Sequence, residues 1–166
     1  MSRLTDLAAQ LGSALKQQAA QVTTAESCTG GGIAEAITRI AGSSAWFEAG
    51  FVTYSNSQKT RLLGVPESLF AEVGAVSREV VDAMARGAQQ GSGARYAVAV
   101  SGIAGPGGGS PDKPVGTVWL AWASDDRRFA QRYCFSGDRQ AIREQSVEAA
   151  LVGLIRLVSG ENPHQG

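Results

Sequence analysis

Thr24-Ala25-Glu26-Ser27-Cys28-Thr29-Gly30-Gly31, followed by Gly32, leaves a short apolar segment and enters a helical pattern. The stretch holds an acid, Glu26, two nucleophile types, Ser27 and Cys28, and three consecutive glycines. Glycine lets a backbone approach a ligand closely, and the first N–H groups of a helix favour an anion. An oxyanion formed in acyl transfer suits such a site as well as a phosphate does. Glu26, Thr29, Gly30 and Gly31 are therefore expected to bind substrate around Ser27.

Working outward, Leu4, Leu7, Leu11 and Leu15 recur at helical spacing and predict an amphipathic helix over 2–19, with Lys16 on its polar side. Residues 22–25 read as a short buried strand, and 29–40 as a helix with Ile33, Ile37 and Ile40 inward. After the turn 41–44, the aromatic and β-branched run 46–54 predicts a second strand. Ser55 or Asn56 caps a short helix to Leu63. Gly64-Val65-Pro66 breaks that helix, and Pro66 suits the first turn of another. Ser77 opens a helix whose Val80, Val81, Met84 and Ala88 face inward and which Gly91 and Gly93 end. The apolar run 96–100 is a strand buried on both faces. A Gly/Pro-rich loop over 101–114 precedes two alternating strands, 115–123 and 128–135, joined as a hairpin through Ser124-Asp125-Asp126. Gly137-Asp138 opens a last helix to Val158. This order predicts an α/β chain, a three-layer α/β/α sandwich in one domain over 1–166. Its sheet is mixed and mainly parallel, with a C-terminal β-hairpin plus helix.

Composition excludes several classes. Hydrophobic residues make up 43% and charged residues 18%, and Lys+Arg and Asp+Glu balance at 15 each. Nothing there points to a nucleic-acid partner. No apolar run is long enough for a bilayer and the N-terminus lacks a signal-like core, so a cytoplasmic protein without membrane contact is expected. Cys28 and Cys134 have neither metal-site nor disulfide-framework spacing. The single histidine, His164, lies in the polar tail 161–166, where fraying makes a poor catalytic base. Histidine-dependent nucleophiles and histidine metal sites are thus disfavoured, and no metal or cofactor is expected. Lysine occurs only at Lys16, Lys59 and Lys113. Unlike arginine, a buried lysine can lose its proton and act as a base.

In open α/β sheets ligands collect beyond the carboxyl ends of the parallel strands. The first strand ends at Glu26-Ser27, the second at Tyr54-Ser55-Asn56 with Lys59 one turn further, and the third at Ser101-Gly102. One rim would bring Ser27, Tyr54 and Lys59 together. Serine needs a base to become nucleophilic. Lys59 can serve if burial or a nearby positive charge keeps it neutral, and Tyr54 can relay the proton or hold the lysine. Cys28 is a rival nucleophile that a helix N-terminus would activate; its other reading is a small buried side chain. Ser44 is a second rival. It precedes the second strand and should sit at the end away from Lys59, unless a bent strand or a dimer contact intervenes. The loop Ser101-Gly102-Ile103-Ala104-Gly105-Pro106-Gly107-Gly108-Gly109 lacks the Gly-Lys-Ser/Thr of a P-loop. Its N–H groups can still clasp a ligand, which makes Gly102, Ile103, Ala104 and Gly105 binding candidates. Lys113-Pro114 could reach back over the site. Gly137, Asp138 and Arg139 open the last helix as a monophosphate site, with Arg143 one turn on.

Seven motifs occur in order: Thr-Ala-Glu-Ser-Cys-Thr-Gly-Gly, Ala-Gly-Ser-Ser-Ala-Trp-Phe, Gly-Phe-Val-Thr-Tyr-Ser-Asn, Gly-Ala-Val-Ser, Val-Ser-Gly-Ile-Ala-Gly-Pro, Lys-Pro-Val-Gly-Thr-Val-Trp and Phe-Ser-Gly-Asp-Arg. Together they resemble the CinA C-terminal domain family over roughly residues 5–160, in its stand-alone amidase form. The molybdopterin-binding-like domain of two-domain members is not expected here. The resemblance implies metal-free hydrolysis of the carboxamide of nicotinamide mononucleotide, giving nicotinic acid mononucleotide and ammonia. It implies a Ser-Lys mechanism with a helping tyrosine. Tyr54 and Lys59 match, and the serine is Ser27 or Ser44, with geometry favouring Ser27. The competing class is a non-catalytic module that only senses a pyridine nucleotide. A homo-oligomer, dimer or larger, is plausible for a small α/β enzyme.

Overall fold

The structure, a computed structural model, describes residues 2–164. In chain order it comprises α1 (Arg3–Gln18), β1 (Val22–Glu26), α2 (Gly32–Thr38), a 3₁₀ turn (Ser43–Ala45), β2 (Phe47–Val52), α3 (Asn56–Leu63), α4 (Ser68–Glu72), α5 (Arg78–Ser92), β3 (Tyr96–Gly102), β4 (Thr117–Ala123), β5 (Arg128–Cys134) and α6 (Arg139–Val158).

The five strands form one sheet in the order β2-β1-β3-β4-β5. β1 pairs in parallel with both β2 and β3, while β3–β4 and β4–β5 are antiparallel. Pairings are therefore evenly divided, although only β4 runs against the other strands. The order reverses between β1 and β3, so their carboxyl ends flank a topological switch point.

Helices cover both faces. Val22, Val98, Val100, Val118, Leu120 and Trp122 pack towards α1, α2 and α6. The opposite face is lined by Ala25, Ala97, Ala99, Ala121 and Ala123, against Val80, Val81, Met84 and Ala88 of α5. Small residues on that face let α5 lie close. Gly87 does the same between helices, since a Cβ there would overlap the Leu63 carbonyl at the end of α3.

Side chains alternate along β1. Val22 and Glu26 point towards α2, and Ala25 points towards α5. Glu26 is fully buried and closes the N-terminus of α2. Its Oε1 accepts from Ile33 N at 2.8 Å and Thr29 Oγ1 at 2.6 Å, and its Oε2 from Ala34 N at 3.0 Å. The anion expected at this helix start is thus the chain's own carboxylate, to which the Thr29 hydroxyl donates. It also explains why α2 begins at Gly32 rather than at residue 29. Gly30 and Gly31 have φ of 61° and 105°, left-handed values that favour glycine, and they carry the chain round before the helix starts.

The tail also differs from expectation. His164 lies within 6.2 Å of the Trp122 ring and 6.0 Å of the Phe129 ring, so the chain is packed rather than frayed to that point. It lies beyond the carboxyl end of α6, away from the switch point. Gln165 and Gly166 lie outside the described residues. Among the described residues no helix is long and apolar enough to cross a membrane.

Removing the Glu26 cap leaves buried N–H groups without acceptors. Glu26→Ala should lower unfolding free energy by about 2–4 kcal/mol in urea titrations, and Glu26→Gln, which keeps one acceptor oxygen, by roughly half that.

Candidate active site

Ser27 follows the last residue of β1, and its N–H still pairs with Val100 O of β3 at 3.1 Å. The alternation that turns Glu26 towards α2 turns Ser27 the other way, towards α3. Ser55 caps α3 through its side chain, accepting from Gln58 N. Lys59 then lies on the inner side of that helix, only 1% exposed. Its Nζ donates to Ser27 Oγ at 3.0 Å and to Tyr54 O at 2.9 Å. Ser27 Oγ lies 3.4 Å from the same carbonyl.

Both partners of this amine are neutral oxygens. Burial pushes the Lys59 pKa down, with Cys28 acting in the opposite direction. Cys28 itself is buried, and burial pushes its thiol up to about 11, with Glu26 adding to the rise. A thiol held protonated is a poor nucleophile. The helix start that would have activated it is occupied by Glu26.

Tyr54 contributes differently from expectation. Its main-chain carbonyl holds Lys59, while its phenol bonds Arg139 Nη2 at 3.1 Å. The phenol is not among the hydrogen-bond partners of Lys59. Ser44 is exposed in the 3₁₀ turn before β2, separated from Tyr54 by the whole strand, about 17 Å at ~3.3 Å per residue. The structure thus brings Ser27, Lys59 and the Tyr54 backbone together and leaves Ser44 apart in a single chain.

The remaining candidates surround this centre. Ser101 and Gly102 belong to β3, and a Cβ on Gly102 would crowd Val118 and Thr117 O of β4. The loop proper begins at Ile103, which pairs with Thr117 O through its N–H and with Gly116 N through its carbonyl. Ala104 is buried. Gly105 O accepts from Arg139 Nη1 at 2.8 Å. Lys113 does not cross the site; its Nζ is held by Val73 O at 2.6 Å.

The start of α6 also departs from the predicted phosphate site. Gly137 has a φ of 107°, and Asp138 caps the helix itself, accepting from Ala141 N at 2.9 Å. Arg139 and Arg143 both line a cavity of about 470 Å³ between α2 and α6, together with Thr29, Gly32 and Glu35. Arg143 grips the turn after Ser27, donating from Nε to Cys28 O at 3.1 Å and from Nη2 to Thr29 O at 3.2 Å. Sequence reasoning missed both this grip and the role of the Tyr54 carbonyl. Their acceptors are main-chain oxygens, which carry no residue-type signal. Among the described residues no cluster of three or more His, Cys, Asp or Glu could hold a metal ion.

Fold and site together define an α/β domain with a buried serine–lysine pair at its switch point. The sequence model of the CinA C-terminal domain matches residues 4–158, and the chain belongs to that family. It is 70% identical over 157 residues to the nicotinamide-nucleotide amidohydrolase PncC of Pseudomonas putida, covering 95% of this chain and 98% of that protein. Identity to the Escherichia coli K12 protein of the same name is 58% over 151 residues, 90% of this chain and 92% of that one. Among solved structures, the competence/damage inducible protein CihA of Agrobacterium tumefaciens superposes with a TM-score of 0.92 at 44% identity, covering 96% and 97% of the two chains. A CinA superfamily protein of Klebsiella pneumoniae gives 0.92 at 36% identity, over 96% and 99%.

The buried amine has a stability signature. With the folded pKa of Lys59 below its ordinary 10.5, the unfolded chain holds a proton that the folded chain lacks between those values. Stability therefore rises with pH through that window. Lys59→Met should be more stable than the parent at neutral pH, and its advantage should shrink as pH approaches 10.5. Thermal melts across pH 6–10.5 measure this; an advantage independent of pH would contradict it.

Proposed function

We propose that this chain is a nicotinamide-nucleotide amidase, hydrolysing the carboxamide of nicotinamide mononucleotide to nicotinic acid mononucleotide and ammonia. The observation that carries the reading is the 3.0 Å contact between Lys59 Nζ and Ser27 Oγ at a buried position. The names of the P. putida and E. coli relatives supply the substrate.

With the amine neutral, the contact runs in the productive direction. The Ser27 hydroxyl donates to the Nζ lone pair, and an Nζ–H keeps Tyr54 O. As Oγ attacks the carboxamide carbon, Lys59 takes its proton. The N–H groups of Cys28 and Thr29 follow Ser27 directly and are not those that Glu26 holds; they stabilise the oxyanion. Lys59 then returns the proton to the departing nitrogen. Ammonia leaves, and the acyl group remains as a Ser27 ester. Water attacks this ester with Lys59 again as base, releasing the carboxylate and restoring the serine. The arithmetic is one amide plus one water giving one carboxylate and one ammonium, with no metal or redox partner.

Arg139 is the phosphate ligand in this reading, and Arg143 supports it from the same cavity wall. The bonds of Arg143 to Cys28 O and Thr29 O also hold the nucleophile turn in place. A cytoplasmic location and a homo-oligomeric state belong to the same proposal.

Ammonia release from nicotinamide mononucleotide tests it. Ser27→Ala should lose at least about a thousandfold in kcat, since no other activated nucleophile stands beside the lysine. Lys59→Arg should be equally impaired, because arginine does not give up its proton. Ser44→Ala should retain most activity. Dependence on Ser44 with Ser27 dispensable would move the nucleophile, and an active Lys59→Arg variant would end the lysine-base mechanism.

A further inference from the structure

Among the described residues the exposed large hydrophobic side chains are Val52, Tyr54 and Leu62. Two of the three, Val52 at 50% and Tyr54 at 59% exposure, stand on one side of the chain at the carboxyl end of β2, the side to which the paired Glu26 turns. Thr53 between them is fully buried and its N–H still pairs with Glu26 O, so the extended alternation of β2 continues past its last residue. Val52 Cγ2 lies 3.6 Å from where a Cβ would stand on Gly31, against the nucleophile turn. Tyr54 is held at two points. Its backbone carbonyl is bonded to Lys59, and its hydroxyl to Arg139, which is itself anchored on Gly105 O. The Tyr54 side chain therefore leads from a backbone carbonyl held by Lys59 to the Arg139 guanidinium.

An aromatic ring this exposed, yet held this firmly, needs a reason other than packing. A tyrosine face carries negative quadrupole charge and attracts a cationic partner within ~6 Å of its centroid. The pyridine nitrogen of nicotinamide mononucleotide is ribosylated, so its ring is a flat cation. Resting on the proposed amidase reading, we infer that the exposed face of Tyr54, flanked by Val52, is the platform on which the substrate's pyridinium ring stacks. Its carboxamide then reaches Ser27 at one end and its phosphate reaches Arg139 at the other. Tyr54 is on this account a specificity-determining residue that selects an oxidised, positively charged ring. Its phenol carries no proton in the reaction, being committed to Arg139 rather than Lys59.

Steady-state ammonia release by Tyr54→Phe, Tyr54→Trp and Tyr54→Leu tests the platform. In parallel, calorimetry on the Ser27→Ala background measures binding of nicotinamide mononucleotide and of its reduced dihydropyridine form, whose ring is uncharged. Tyr54→Leu should raise KM about tenfold with kcat within about threefold, in the range a cation–aromatic contact supports. Tyr54→Phe, which keeps the ring but loses the Arg139 bond, should raise KM less than Leu does, and Tyr54→Trp should bind as tightly as the parent or more so. The preference for the oxidised over the reduced ligand should shrink in Tyr54→Leu. A Tyr54→Phe variant that loses kcat a hundredfold at unchanged KM would overturn the inference by making the phenol a proton carrier. Unchanged binding of both ligands in Tyr54→Leu would overturn it too. If the parent binds the nucleotide but releases no ammonia, the amidase reading fails, while the Leu-dependent loss of binding still decides the platform.

Discussion

A lysine amine buried against two neutral oxygens is the constraint on which the rest of the site depends. A charged ammonium in that position forfeits most of its hydration, and neither Ser27 Oγ nor Tyr54 O offers a compensating negative charge. Burial therefore lowers the Lys59 pKa and shifts the amine towards its neutral form, at a cost to the stability of the fold. Packing offsets that cost: the alanine-lined sheet face, α5, and the glycine contact between α5 and the end of α3 together hold the helix that carries Lys59. In the proposed mechanism, burial rather than a histidine supplies the base for serine.

The second requirement is that Ser27 be placed beside that amine from a rigid support. β1 meets it by alternation at its carboxyl end. Glu26 turns to one side and ties the strand to α2 through two hydrogen bonds and to Thr29 of the intervening turn through a third, so that Ser27 must turn to the other. The following turn is closed by two left-handed glycines and gripped from outside by Arg143. Helix α6 therefore acts on the turn after Ser27 through the backbone, while its first residue, Arg139, reaches the Gly-rich loop and Tyr54. Three chain segments meet at one helix start.

Much of this was legible in the sequence, for identifiable reasons. The strand-end rule, with histidine confined to the tail and lysine rare, was enough to pair Ser27 with Lys59. Alternating helix and strand signals were enough for the layered architecture and the hairpin. Other features resisted reading. The anion logic at the start of α2 was sound, but a side chain already in the chain satisfied it, seven and eight residues before the N–H groups it holds. Tyr54 is expected to relay a proton or hold the lysine; it is the carbonyl that does the holding, and any residue type could supply a carbonyl. The same limit hid the grip of Arg143 and the anchoring of Lys113 on Val73 O. Contacts to main-chain oxygens depend on tertiary placement alone.

The central claim is that Lys59 is neutral at working pH and serves Ser27 as its base. Lysine is rare enough here for a direct reading. Only Lys16, Lys59 and Lys113 contribute signals to an NMR titration of side-chain-labelled lysine, and the Lys59→Met variant assigns the one of interest. The account predicts that the Lys59 resonance titrates below its ordinary 10.5, at the pH where kcat/KM for nicotinamide mononucleotide rises on its acid limb. A Lys59 signal that titrates with the surface lysines, while activity persists at neutral pH, would contradict it.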